Sequence, residues 1–347
     1  MALSEATVLE ALKQVKFPGL TRDIVSFGFV RGVAVEGSTV TVTIAMTTAN
    51  PDAGTQVERD ARVVLESLPE VERAVVDVSV QAPQPAGAPS SVPVLPGVRY
   101  KIAVASGKGG VGKSTVAANL ALALRRSGAT VGLLDADIYG PSQQMMMGCT
   151  DRPRVTPEEK ILPVDGNGVQ VMSLGFLMEP DTPVIWRGPM VMKALQQFLQ
   201  DVEWGSLDFL IVDLPPGTGD AQLTLTQEVP LDGAVIVTTP QDVALIDARK
   251  GLAMFKKVNV PVLGVVENMS VFVCPHCGAR TEIFKTGGGR RTAEQLGVPF
   301  LAEIPIEPEI VVGGDAGSPI VVTHPDSLAA KAFTGLAEAV TKAVHRD

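Results

Sequence analysis

The sequence predicts an α/β protein, a doubly wound and mostly parallel sheet preceded by a small α+β domain. Three observations carry that expectation. From Arg99 onward, short apolar segments alternate with helical stretches. These segments are apolar throughout, as strands are when both faces of a sheet are covered. Ahead of them, a run rich in proline and small residues separates a front segment in which apolar and polar residues alternate instead. The expected units are a front domain over 1–82, a linker over 83–98 and a larger domain over 99–347. At 347 residues, 46% of them hydrophobic, the chain has the length and the apolar content for two packed cores.

In the front unit, Ser4 to Val15 reads as a capped helix with Leu9, Leu12 and Val15 on one face. Ile24 to Val35 reads as a strand, and Gly37-Ser38 as a turn. In Thr39 to Met46, Val40, Val42, Ile44 and Met46 face one way and the threonines the other. Thr55 to Leu68 reads as a helix, and Val71 to Val80 as a strand with Val76, Val78 and Val80 in phase. The order is α-β-β-α-β. The linker's prolines hold it extended, as a tether.

In the larger unit the expected strands are Lys101–Ser106, Thr130–Asp135, Val169–Leu174, Phe209–Asp213, Ala234–Thr238, Val262–Glu267 and Phe300–Ile304. In doubly wound sheets, ligands sit at the carboxyl ends of the strands. The first of these ends carries Gly107, Lys108, Gly109, Gly110, Val111, Gly112, Lys113, Ser114 and Thr115, in the spacing G-x-x-x-x-G-K-S. A strand, a glycine-rich loop and a helix in that order form a phosphate-binding loop. Lys113 is placed to meet the β- and γ-phosphates, and Ser114 to offer a hydroxyl to Mg²⁺.

The second strand ends in Asp135-Ala136-Asp137, two carboxylates suited to the Mg²⁺ shell or to orienting an attacking water. The apolar run ending at Asp213 has the Walker B pattern, in which the carboxylate holds Mg²⁺. The Pro-Pro-Gly-Thr-Gly stretch after it has the pivots of a switch. Asn268 follows Glu267, and its amide matches an adenine edge.

Cys274-Pro275-His276-Cys277 is half of a tetrahedral thiolate site. It fits a redox pair, a zinc knuckle, or a half-site completed across a two-fold axis. Lys108 adds a second cation inside the phosphate loop. It is either solvated or able to reach a nucleotide held by a facing subunit.

Composition removes several classes. A net charge of −9 argues against a protein whose main task is holding nucleic acid. No apolar run reaches membrane-spanning length, so no membrane role is expected. The first residues lack the basic and apolar regions of a signal peptide, and three cysteines are too few for a disulfide framework, so a cytoplasmic chain is expected.

The run Lys108-Gly-Gly-Val-Gly-Lys113-Ser-Thr resembles the deviant Walker A of the dimerising ATPases that include MinD, ParA, the nitrogenase iron protein and the Mrp/ApbC-type iron–sulfur carriers. Within that group the likeness from about Arg99 to Ala343 is to the Mrp/ApbC-type carriers. It is carried by Asp135-Ala-Asp-Ile-Tyr-Gly-Pro-Ser142, Trp186-Arg-Gly-Pro189, Asp213-Leu-Pro-Pro-Gly-Thr-Gly-Asp220, Thr239-Pro-Gln-Asp-Val243, Glu267-Asn-Met-Ser270 and Cys274-Pro-His-Cys277. The front unit is similar to the small iron–sulfur assembly domain fused ahead of such ATPases.

The resemblance implies a P-loop ATPase that works as a homodimer, with Lys108 reaching the partner's nucleotide. It implies a 4Fe–4S cluster shared by Cys274 and Cys277 of both subunits, and transfer of that cluster to apo-proteins with cluster assembly factors as partners, coupled to ATP hydrolysis. It also implies an adenine contact for Asn268 and a water-positioning role for Asp137. The chain departs from the pattern at Thr47 to Asp52, where front domains of this type often carry a cysteine and this one has none. Two other readings are kept: a positioning ATPase acting on membrane or DNA through the amphipathic stretch Leu328 to Val344, and a zinc-bridged dimeric ATPase.

Overall fold

The computed structural model describes residues 3–16, 23–25, 28–47, 53–81, 95–137, 140–178 and 188–345. Ile138-Tyr139, Trp186-Arg187, the cysteine-free loop at 48–52 and most of the proline-rich tether lie outside the described residues. The chain divides into two compact units, Met1–Val92 and Pro93–Asp347.

The first unit begins with α1 (Glu5–Leu12), whose N-cap Ser4 accepts the amide of Thr7 through its hydroxyl. The helix ends at Leu12 rather than Val15, because Gln14 and Val15 bond three residues back and tighten the chain into a turn. Strand β1 (Val30–Glu36) starts later than its apolar run suggests. Ile24 is fully buried, and its amide donates to Val15, so it closes the connection from helix to sheet and lies outside the strand.

Next come β2 (Thr39–Thr47), α2 (Ala53–Glu66) and β3 (Arg73–Gln81), in the expected α-β-β-α-β order. The pair β1–β2 is antiparallel and β2–β3 is parallel. Val40, Val42, Ile44 and Met46 face the core. In β3 the expected phase fades along the strand. Val76 is buried, Val78 half-buried and Val80 exposed, although Gly54 of α2 still lies against the Val80 side chain.

The second unit is built on β4 (Val98–Ser106), β5 (Val131–Asp135), β6 (Val164–Gly166), β7 (Val169–Ser173), β8 (Leu207–Asp213), β9 (Gly233–Thr238), β10 (Val262–Glu267) and β11 (Phe300–Glu303). These eight strands form one sheet in the order β11-β10-β9-β4-β8-β5-β7-β6. All neighbours are parallel except β6, which runs antiparallel to β7. The sheet is doubly wound, as expected.

Strand β6 is the addition. It joins β7 through Asn167-Gly168, both at positive φ (55° and 81°), the backbone twist of a tight hairpin. Leu95 and Val98, at the end of the stretch read as linker, are buried in this unit.

Helix α3 (Lys113–Arg126) packs on one face with the last helix, Leu328–Val344. In that last helix Phe333, Leu336 and Val340 are fully buried, so its apolar stripe is core. No helix among the described residues is long and apolar enough to cross a membrane. Gly188–Gln200 and Asp242–Lys257 contribute to the core on the opposite face.

Candidate functional site

The order of the sheet sets the carboxyl ends of β4, β8 and β5 side by side. In register, Asp213 lies opposite Val104 of β4 on one side and Asp135 of β5 on the other. This is the crevice beyond the carboxyl ends of the central strands, where doubly wound folds bind ligands.

The phosphate loop fills it. Gly110 and Gly112 have φ of 77° and 78°, which L side chains rarely adopt. Gly107 admits nothing larger, since a Cβ there would lie 2.1 Å from the carbonyl oxygen of Asp247. Gly112 is the N-cap of α3 and supplies no capping side chain. The first amides of α3 are therefore left to an external acceptor, with the positive end of the helix dipole behind them.

Lys113 is buried at the base of the loop. Its Nζ pairs with Asp213 Oδ1 and lies 3.2 Å from Ser114 Oγ and 3.5 Å from Asp137 Oδ2. Asp213 is fully buried and Lys113 is 5% exposed, so each charge depends on the other. The carbonyl of Thr115 accepts from Asn119, which anchors the first turn of the helix. Lys108 is half-buried. Its carbonyl accepts the Ser106 hydroxyl, and among the described residues its ammonium makes no ion pair.

Asp135 departs from the role its position suggests. Sequence reading makes it a Mg²⁺ ligand beside Asp213. In the structure Oδ1 accepts the amide of Asp137, and Oδ2 accepts the amides of Ser142 and Gln143 and the hydroxyl of Ser173. Both oxygens are thus engaged by the loop that Asp135 itself starts, and the carboxylate organises that loop. Burial, and then the charge of Asp213, push it up to about 7. Asp137, one turn of loop further, is the carboxylate facing Lys113.

Gln143 escaped the sequence reading. It is fully buried, and its Nε2 donates to the Ser114 carbonyl (3.0 Å) and to Asp213 Oδ2 (2.8 Å). The only signal was its place at the end of the Asp135–Ser142 run.

At the end of β10, Asn268 Nδ2 donates to the Val111 carbonyl (2.9 Å). The amide expected to meet adenine is therefore committed to the phosphate loop in this state. Glu267 is fully buried and accepts the amides of Gly287 and Gly289 at the start of the helix Gly288–Leu296. Met269 then takes φ of 57°, unusual for a non-glycine residue.

Two residues beyond Ser270 the chain enters a small ladder, Phe272–Val273 against Arg280–Thr281. The turn of this hairpin carries both cysteines. It closes with Cys274 N donating to Ala279 O and Gly278 N donating to Cys274 O, both 2.9 Å. Cys274 is half-buried and Cys277 exposed. The backbone amides of Cys277 and His276, then the Cys277 thiol, hold Cys274 below the ordinary thiol range. Cys149 is the opposite case, pushed up to about 12 by burial and by Asp165 and Asp151. Among the described residues no group of three or more His, Cys, Asp or Glu is placed to hold a metal ion. Two thiols therefore stand together without a third ligand of those types.

A glycine loop closed over a buried Lys113–Asp213 pair, at the switch of a parallel sheet, defines the P-loop NTPase class. The same backbone occurs in the cell division ATPase MinD of Pyrococcus furiosus, at TM-score 0.54 and 28% identity over 70% of this chain and 98% of that one. It also occurs in a nucleotide-binding protein of Archaeoglobus fulgidus, in complex with ADP, at TM-score 0.59 and 40% identity over 66% of this chain and 90% of that one.

The chain belongs to the NUBPL iron-transfer P-loop NTPase family, whose model matches residues 97–341. Residues 5–88 match the iron–sulfur cluster assembly protein family. The iron–sulfur cluster carrier protein of Synechocystis is 48% identical over 343 residues, covering 97% of each chain. The iron–sulfur cluster transfer protein NUBPL of the mouse is 51% identical over 258 residues, covering 74% of this chain and 81% of that one.

Proposed function

We propose that this chain is an ATP-hydrolysing iron–sulfur cluster carrier. Two copies hold one 4Fe–4S cluster between their Cys274 and Cys277 pairs and pass it to apo iron–sulfur proteins. The observation that supports this most is the continuity of one strand end. Asn268 bonds the phosphate loop, and the same backbone reaches Cys274 six residues later.

The residues fit a Mg²⁺–nucleotide. The open amides of α3 suit phosphate oxygens, and Ser114 Oγ and Asp213 lie together beside Lys113. Ser114 and Asp213 would hold Mg²⁺, which neutralises charge on the β- and γ-phosphates when bound. Lys113 exchanges Asp213 for phosphate. Asp137 orients the attacking water, and Asp135 holds the loop that carries Asp137. Lys108, whose ammonium makes no ion pair among the described residues, serves the partner's nucleotide.

Two thiolates from each chain complete a tetrahedral set only when two copies meet. The lowered Cys274 thiol suits thiolate ligation. The positioning-ATPase reading needs the last helix on a membrane or on DNA, and that helix spends its apolar stripe on the core.

The test is anaerobic reconstitution with iron and sulfide, wild type against Cys274→Ala. One cluster per two chains is expected in the wild type, with loss of both cluster and cluster-dependent dimer in the variant. Unchanged cluster content in the variant sinks the proposal. Zinc in place of iron in protein purified without oxygen replaces it with the zinc-bridged dimer.

A further inference from the structure

Gln143 sits where the two halves of the nucleotide site meet. Its backbone amide donates to Asp135 Oδ2, and its side-chain Nε2 donates to Asp213 Oδ2 and to the carbonyl of Ser114. One residue therefore ties the acidic loop, the Walker B carboxylate and the first turn of α3 together. The orientation of its amide is determined by chemistry. Both partners of Nε2 are acceptors, so the oxygen cannot take its place. Gln143 Oε1 is consequently left buried and without a partner. Gln170 and Gln222 also bury an unpartnered carbonyl among the described residues, but no hydrogen bond ties either amide to Ser114 or Asp213.

Resting on the nucleotide-site reading above, we propose that Gln143 is a positioning residue for the Mg²⁺–nucleotide. Its Nε2 holds Asp213 in place, and its free Oε1 accepts a hydrogen bond from the hydration shell of the cation. Mg²⁺ keeps several waters in such sites, and each water needs an acceptor. Loading the site therefore satisfies the buried carbonyl and locks the Ser142–Gln143 turn. Through the amides on Asp135, that turn sets the position of Asp137.

The test uses the full chain and a fluorescent N-methylanthraniloyl-ADP, titrated in EDTA and then across a Mg²⁺ series. Two variants bracket the role. Gln143→Met keeps the length and removes the amide. Gln143→Glu keeps an acceptor and adds a charge beside Asp213. Gln143→Met is expected to weaken binding of the analogue more in Mg²⁺ than in EDTA. Its half-effective Mg²⁺ concentration rises on the order of tenfold, the scale of one hydrogen bond to a charged group. In Gln143→Glu the half-effective Mg²⁺ concentration falls instead.

A simple packing defect moves both variants the same way, or moves the EDTA and Mg²⁺ curves together. Either result overturns the inference, as does an unchanged Mg²⁺ midpoint in Gln143→Met. If Gln143→Met fails to fold, a raised Mg²⁺ requirement in Gln143→Glu overturns it alone. A wild type that does not bind the analogue removes the nucleotide-site reading itself, whereas one that binds it without any response to Mg²⁺ overturns the inference alone.

Discussion

The side chain of Asn268 donates to the carbonyl of Val111 at 2.9 Å, and a Cβ on Gly112 would lie 2.2 Å from the same nitrogen. The residue before it, Glu267, holds the amides that open the helix following the cysteine hairpin. One dipeptide therefore touches the phosphate loop with one side chain and frames the thiol hairpin with the other. Asn268→Ala leaves the Val111 carbonyl without its donor, a loss of about 1–3 kcal/mol if no water replaces it. Nucleotide affinity is expected to fall about tenfold, and ATP is expected to lose its effect on cluster transfer. The measurement is the rate of transfer to an apo-ferredoxin-type acceptor with and without ATP. An ATP effect of wild-type size in the variant removes the coupling role.

The buried pair of Lys113 and Asp213 makes a separate prediction. Lys113→Ala strands the Asp213 carboxylate in the core, and breaking such a pair costs about 3–5 kcal/mol. The variant is expected to lose nucleotide binding and to unfold at markedly lower urea. Lys113→Ala with Asp213→Asn recovers much of the stability and none of the binding. Equal stability of the single and double variants contradicts the pairing.

Lys108 predicts the opposite split. With no ion pair among the described residues, Lys108→Ala leaves folding unchanged within about 0.5 kcal/mol. Nucleotide binding persists, while hydrolysis falls at least about a hundredfold if the ammonium serves the partner's site. Steady-state turnover measured beside equilibrium binding separates the two. Normal turnover in the variant rules out a role across the dimer.

The thiols are ranked by their surroundings. The amides around Cys274 hold its thiol below the ordinary range, whereas burial and nearby carboxylates push Cys149 up to about 12. Brief alkylation of metal-free protein with iodoacetamide, read by peptide mass spectrometry, is expected to mark Cys274 ahead of Cys149. Labelling of Cys149 first contradicts the geometry.

Asp135 makes stability depend on pH. Its folded value, about 7, lies above the ordinary 3.8, so the folded protein holds this proton where the unfolded chain has lost it. The contribution is complete below about pH 4 and is lost as pH rises to about 7. The nucleotide-free protein is therefore expected to lose stability between about pH 4 and about pH 7. Asp135→Asn is less stable throughout, since an NH₂ then faces donors, but it lacks that slope. Urea titrations across this range give the comparison, and a slope retained in the variant assigns the proton elsewhere.

The local features were legible in advance. The seven parallel strands of the larger unit fall where short, mostly apolar runs lie, because strands covered on both faces draw mainly on apolar residues. The phosphate loop and the cysteine pair were legible because their chemistry lies within a few consecutive residues. Strand β6 was also within reach, since Asn167-Gly168 is a hairpin signal in its own right. In the front unit, periodicity overran β1 at Ile24, because a buried residue closing a loop is as apolar as one in a strand.

By itself, then, the sequence determined the class of fold, the family and the short runs that carry the chemistry, since each depends on order along the chain. Tertiary structure alone decided what each polar group in those runs faces. Asp135 turned from presumed ligand to loop organiser because three amides and a hydroxyl converge on it. Asn268 became a brace for the phosphate loop because Val111, 157 positions away, lies against it. Gln143 entered the site because β5 and β8 are neighbours in the sheet, a pairing between strands more than seventy residues apart. A hydrogen bond depends on distance in space, and local residue patterns carry no record of which distant carbonyl or carboxylate will be brought within 3 Å.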